Sequence, residues 1–216
     1  MELEPISERV RRRFDDRMQA RERALPASRA AIRSCANAIR ALHRGDLETA
    51  HRLMDDARAS LDAGREAVAQ HPEIAFAGYL QDAQKEYAEA RVTDVIVAGA
   101  STIPTPEDLR VEDAPYLNGI AEAIGEARRH ALDLLRHGAV DEAEAVLDAM
   151  DDLYAVLVTI DYPDAITGNL RRSTDVARSL IEKTRGDLAV ARVSRDLHDA
   201  LDRHARDVLG PPTRKE

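Results

Sequence analysis

Gln84-Lys85-Glu86-Tyr87-Ala88-Glu89-Ala90 decides how the chain is read. Its periodicity is helical, and it sets Glu86 and Glu89 three residues apart. A second stretch runs Tyr116-Leu117-Asn118-Gly119-Ile120-Ala121-Glu122-Ala123-Ile124-Gly125-Glu126-Ala127-Arg128-Arg129, with Glu122 and Glu126 four apart. Side chains three or four apart are neighbours on a helix surface. If the two helices pack together, four carboxylates converge. Such a group repels itself unless a proton or a divalent cation neutralises it.

Working outward, Pro72 is expected to open the first carboxylate helix, with Phe76, Leu80, Ala83, Tyr87 and Ala90 as its apolar stripe. Glu86 and Glu89 each precede a stripe position and flank the seam. Upstream, Ile32, Cys35, Ile39 and Leu42 repeat at helical spacing up to Gly45, a helix stop. Leu47, Ala50, Met54, Ala57 and Leu61 form the next stripe. Pro26 is expected to kink or break the chain. Residues 1–24, with Arg11, Arg12 and Arg13, read as a solvated helix face or frayed arm, or as a phosphate-contacting arm.

Downstream, Gly99 and Pro104 mark a loop, and Thr105-Pro106-Glu107-Asp108 is a helix start. Pro115 opens the second carboxylate helix. Its two interior glycines, Gly119 and Gly125, each cost about 1 kcal/mol relative to alanine and imply a close approach by another helix or a ligand. Gly138 ends that helix. Val140, Ala143, Leu147, Met150, Tyr154 and Leu157 form a further seam, which Tyr162-Pro163 breaks. A long helical stretch then runs to about Leu209, with Ile166, Leu170, Ala177, Leu180 and Leu188 inward and Arg171, Arg172, Asp175, Arg178, Glu182 and Arg185 outward. Residues 1–209 read as a single all-α domain of six or seven helices, and 210–216 as a disordered tail.

The 216 residues are enough for a sizeable core. Aromatics are only 3% and tryptophan is absent, so small and aliphatic residues must build that core and let helices lie close. A net charge of −9 leaves no general attraction for nucleic acid, so a polyanion needs a local basic patch or a metal. Lysine occurs only at 85, 183 and 215, and Cys35 is alone, which excludes a cysteine metal knuckle. The absence of a signal peptide or long apolar run points to a cytoplasmic protein with no membrane partner.

From spacing alone, the acidic pairs fit either a solvated helix face or a site for a hard divalent cation such as Mg²⁺ or Mn²⁺. A di-iron bundle would use Glu-x-x-His pairs, and neither motif contains one; His130 lies four residues after Glu126. His43, His51, His71, His198 and His204 lack convergent spacing and read as surface or capping residues. No phosphate loop or nucleophile motif is present.

Taken together, Glu86-Tyr87-Ala88-Glu89-Ala90, Tyr116-Leu117-Asn118-Gly119, Gly125-Glu126 with Arg128 and Arg129, Asp161-Tyr162-Pro163, and Leu170-Arg171-Arg172 with Asp175 and Arg178 resemble the translin family. The joint at Leu42-His43-Arg44-Gly45 fits as well, and the resemblance extends from about Arg21 to Leu188. The family has a branch that binds single-stranded nucleic acid, translin, and a metal-dependent endoribonuclease branch, translin-associated factor X. The chain is closer to the second, in its archaeal-type single-gene form. The resemblance implies that Glu86, Glu89, Glu122 and Glu126 are catalytic ligands for Mg²⁺ or Mn²⁺, with Glu122 standing where the branch usually has Asp. It implies a closed homo-oligomeric shell, with an octamer as the expected size, and cleavage of single-stranded RNA. The alternative is a non-catalytic shell that binds single-stranded RNA or DNA; a third reading is a plain oligomeric scaffold. The family's basic cluster before the first motif is replaced by Ala75–Leu80, which carries no positive charge. RNA contacts then fall to Arg11, Arg12, Arg13, Arg128 and Arg129.

Overall fold

The computed structural model describes residues 3–209, and the tail expected at 210–216 lies outside them. Among the described residues there are no strands. Six long helices carry the architecture: α1 (Glu4–His43), α2 (Leu47–Val68), α4 (Tyr79–Val97), α6 (Asp113–Arg136), α7 (Val140–Leu157) and α9 (Leu170–Leu209). Three single turns sit between them: α3 (Pro72–Ala75), α5 (Pro106–Leu109) and α8 (Asp164–Thr167).

The helices α1 and α2 form a hairpin against α4. The helices α7 and α9 pack on α6, and α4 and α6 join the two halves. Alanine makes this possible: Ala31, Ala38, Ala41, Ala88, Ala90, Ala123 and Ala127 are all fully buried in the main core. A side chain of one methyl group lets helix backbones approach closely and loses little rotamer freedom on burial. Gly45 and Gly138 end α1 and α6 with φ of 75° and 77°, so the two helices stop in the same kind of left-handed turn.

Three expectations are corrected. The helix α1 does not break at Pro26 but runs through it. An interior proline costs about 3 kcal/mol; here Ala24 and Ser28 on either side are buried, and Ala24 packs with Val68 and Leu80. Tertiary burial holds the helix across the lost hydrogen bond. Secondly, no single helix runs from Pro72 to Ala90. Gly78 adopts φ 94°, which only glycine takes at low cost, and separates α3 from α4. Phe76 therefore leaves the stripe and is 71% exposed. Thirdly, Ile166 lies on the separate turn α8 and is exposed rather than inward, because Gly168 and Asn169, both at positive φ, interrupt the helix before Leu170.

The start of α5 is as expected. Thr105 Oγ1 accepts from the Asp108 N–H (3.2 Å) and the Thr105 N–H donates to Asp108 Oδ2 (2.9 Å), a closed capping box. Arg58 fixes this turn to the body by donating to the carbonyls of Leu109 (2.6 Å) and Asp108 (3.0 Å). Among the described residues no helix is long and apolar enough to cross a membrane.

Candidate metal centre

The register between α4 and α6 is set at two points. Buried Gln84 accepts from the Glu112 N–H at the start of α6 (2.7 Å), and its own amide donates to Glu112 Oε1 (3.0 Å). Two turns of α6 further on, Gly119 lies directly on α4. A Cβ there would stand 2.7 Å from the Lys85 carbonyl oxygen, 2.8 Å from Ala88 Cβ and 3.0 Å from the Glu89 nitrogen. The close approach read from the glycine is thus made by a helix. Gly125 is not under the same constraint, since its Cβ would meet only Leu180, at 3.7 Å.

This contact brings carboxylates from both helices together. Glu86, Glu89 and Glu122 each offer one oxygen, and the three oxygens lie within 4.8 Å of one another. Glu89 is deepest, at 9% exposure. Its pKa rises to about 8, first through burial and then through repulsion from Glu86, Glu122 and Glu126. Glu86 is also raised by burial, although Lys85 opposes the shift. Beneath them Cys35 is fully buried; burial and the charges of Glu86 and Glu89 push its thiol far up, so it stays protonated.

Glu126 is placed differently. Its Oε2 lies 2.5 Å from His43 Nε2 and 3.6 Å from Arg129 Nη1. The hydrogen bond to His43, helped by the His43 and Arg129 charges, holds its carboxyl below the ordinary value against the effect of burial. It is close enough to raise Glu89 but does not share the three-oxygen cluster.

His43 corrects its reading as a surface or capping residue. Its side chain is 3% exposed, and Nδ1 is buried without a hydrogen-bond partner. His130 lies near it; burial first, and then the neighbouring His43, lower its pKa. No local pattern signals the pair His43–Glu126, because the partners are 83 residues apart.

Lys85 carries no spacing signal either. Its Nζ lies 2.6 Å from both Glu122 oxygens and 3.4 Å from Glu86 Oε1, so an ammonium spans the two helices. The only hint in the sequence is that lysine is rare in this chain.

The cluster opens on either side. One cavity of about 530 Å³ is lined by Lys85, Gln81, Asp82, Glu112 and Ser173, among others, and also by Glu122. A second, of about 360 Å³, is lined by Glu89, Gly125, Arg172 and Leu180, and also by Glu122 and Ser173. Arg172, read as part of an outer solvent face, therefore stands beside the carboxylates.

The other arginines are scattered. Arg129 is next to Glu126. Arg128 is tied to α9, donating to Thr184 Oγ1 (2.9 Å) and Asp187 Oδ2 (2.8 Å). Arg11, Arg12 and Arg13 are exposed near the start of α1. At 1.5 Å per helical residue they lie about 35 Å along the helix from Cys35, which underlies the cluster. They do not join it within one protomer.

The donors are all oxygens on two rigid helices, and Lys85 already places a cation among them. Such a set fits a hard divalent ion.

The arrangement of the helices defines a translin-type helical protein. Two structures of AfC3PO, one of them in complex with duplex RNA, match with a TM-score of 0.80 and 34% identity over 87% of this chain and 97% of theirs. The structure of apo-NeC3PO matches with a TM-score of 0.76 at 20% identity, a likeness of fold, over 88% of this chain and 99% of that one. An uncharacterized protein of Methanocaldococcus jannaschii is 32% identical over 188 residues, 85% of this chain and 81% of its own length. The family model described as YfdX protein matches residues 31–166, a span that includes both carboxylate helices. The chain belongs to the YfdX family.

Proposed function

We propose that the protein is a Mg²⁺- or Mn²⁺-dependent endoribonuclease, akin to the catalytic branch of the translin family. The observation that carries this reading is the convergence of Glu86, Glu89 and Glu122 from two helices onto one point. These residues would hold the ion, with Glu126 beside them. When bound, a divalent cation supplies a Lewis acid for the phosphodiester and makes water a nucleophile at neutral pH. The chain's own groups do the rest. Gln84 and Gly119 hold the two helices in register; His43 and Arg129 keep Glu126 ionised and oriented. Arg172 and Arg129 place positive charge at the rim, where a phosphate would enter.

RNA as the substrate is supported by the AfC3PO relative, which was solved with duplex RNA. Single-stranded RNA remains the substrate we propose, and the assay compares both forms. Assembly into a homo-oligomer, with an octamer as the expected size, is supported by apolar side chains left exposed along both ends of the long helices. On α1 these are Ile6, Val10, Phe14 and Met18, with Leu3 just before it; on α9, Val190, Val193, Leu197 and Leu201.

The alternative is a non-catalytic RNA-binding shell. The Lys85 ion pairs favour it, since they neutralise part of the cluster without metal. Incubation of labelled single-stranded and duplex RNA with Mg²⁺, Mn²⁺ or EDTA separates the two. The nuclease reading requires metal-dependent cutting that Glu86→Ala abolishes. Salt-sensitive binding without turnover would establish the shell instead.

A further inference from the structure

This inference rests on the reading of the carboxylate cluster as a divalent-cation site. Lys85 precedes Glu86 on α4, yet its side chain crosses to α6. Its ammonium engages both oxygens of Glu122 and one of Glu86, two of the three carboxylates that converge. A divalent ion and an ammonium drawn to the same carboxylates repel one another at this range and compete for them. The side chain also has somewhere to go. It lines the 530 Å³ cavity, where it is the sole cationic residue and faces Asp82 and Glu112.

The residue type is informative. Of 31 basic residues only three are lysine, at 85, 183 and 215, so 28 are arginine. A guanidinium would grip the carboxylates with a fixed bidentate fork, whereas an ammonium is a point charge on a flexible stem that releases easily. In a chain that otherwise uses arginine, the exchangeable cation stands at the cluster.

We propose that Lys85 is the resident counter-ion of the metal centre: entry of a divalent cation displaces its ammonium from Glu122 and Glu86 into the adjoining cavity, where it is free to hold a phosphate oxygen of the RNA. The lysine offsets part of the cluster's negative charge without metal, then becomes a substrate-binding group once the metal is in place.

The test uses the full-length protein without RNA. Calorimetry first establishes Mg²⁺ binding. Lysine acetylation by a water-soluble succinimidyl ester is then followed by mass spectrometry across the same titration, with exposed Lys183 as the internal reference. Acetylation of Lys85 is expected to rise several-fold with saturation while Lys183 stays constant. Lys85→Arg, which keeps the charge but grips harder, is expected to bind Mg²⁺ more weakly than wild type. Lys85→Met, checked for helicity by circular dichroism, is expected to bind it about tenfold more tightly. Saturable Mg²⁺ binding with unchanged Lys85 reactivity would overturn the exchange and leave the metal centre standing. Lys85→Arg binding as tightly as wild type would also overturn it. Absence of binding by wild type and Lys85→Met alike would remove both the exchange and the site beneath it.

Discussion

The seam between α4 and α6 and the free ends of α1 and α9 are opposite uses of a helix. At the seam, buried alanines and Gly119 bring two backbones together so tightly that charged side chains are forced into company. At the ends, large apolar residues such as Phe14 and Leu197 remain in solvent while charged ones surround them. Burying like charges costs free energy, and so does exposing apolar stripes. A chain that accepts both gives up stability where a ligand and a partner would restore it. The seam has the character of a site and the ends that of a surface for assembly.

Five changes sharpen this contrast. Gly119→Ala should destabilise the fold most, because its Cβ meets backbone rather than the end of a flexible side chain. It should cost about 3 kcal/mol in chemical denaturation and abolish cleavage by spreading the carboxylates. Gly125→Ala, with room beside Leu180, should gain up to about 1 kcal/mol instead. Equal effects at the two glycines would remove the close-approach argument.

Gln84→Ala should cost about 2 kcal/mol, since it leaves the Glu112 N–H without its partner. It should also weaken divalent-ion binding by loosening the helix register, which calorimetry would register.

Glu89→Gln tests the electrostatic cost of the seam. Glu89's folded pKa of about 8 lies above the ordinary 4.5, so the native state holds a proton that the unfolded chain releases. The stability from this proton is fully present below pH 4.5 and is lost as pH rises through about 8. In EDTA at pH 8, Glu89→Gln should therefore be more stable than wild type by about 4 kcal/mol, with a flatter dependence of Tm on pH. It should bind Mn²⁺ far more weakly.

Phe14→Glu with Leu197→Glu should change the protomer's unfolding free energy least, within about 0.5 kcal/mol when the chain is monomeric. Light scattering should nevertheless show a smaller particle than wild type. An unchanged mass would remove the assembly role from the two ends.

Much of this was legible in the sequence because helices are local objects. The stripes on α2, α6 and α7, the stops at Gly45 and Gly138 and the capping box at Thr105 follow from spacing and backbone preference. The convergence of four carboxylates, expected if the two helices pack, is met for Glu86, Glu89 and Glu122, while Glu126 pairs with His43 instead. Local rules failed where distant burial decided the outcome. Pro26 stays helical because its neighbours pack on another part of the fold. Phe76 lost its stripe position to the backbone of Gly78. His43 and Lys85 carry no spacing signal, since each is defined by a partner on another helix.

We propose that the α4–α6 carboxylates hold a divalent cation that cuts RNA. The most direct test is cleavage of a labelled single-stranded RNA of about twenty nucleotides by the assembled protein with Mn²⁺, Mg²⁺ or EDTA, alongside Glu86→Ala/Glu126→Ala. The expected result is metal-dependent cutting that the folded double variant lacks. Cutting that survives in the variant, or none by a well-folded wild type saturated with metal, would contradict it.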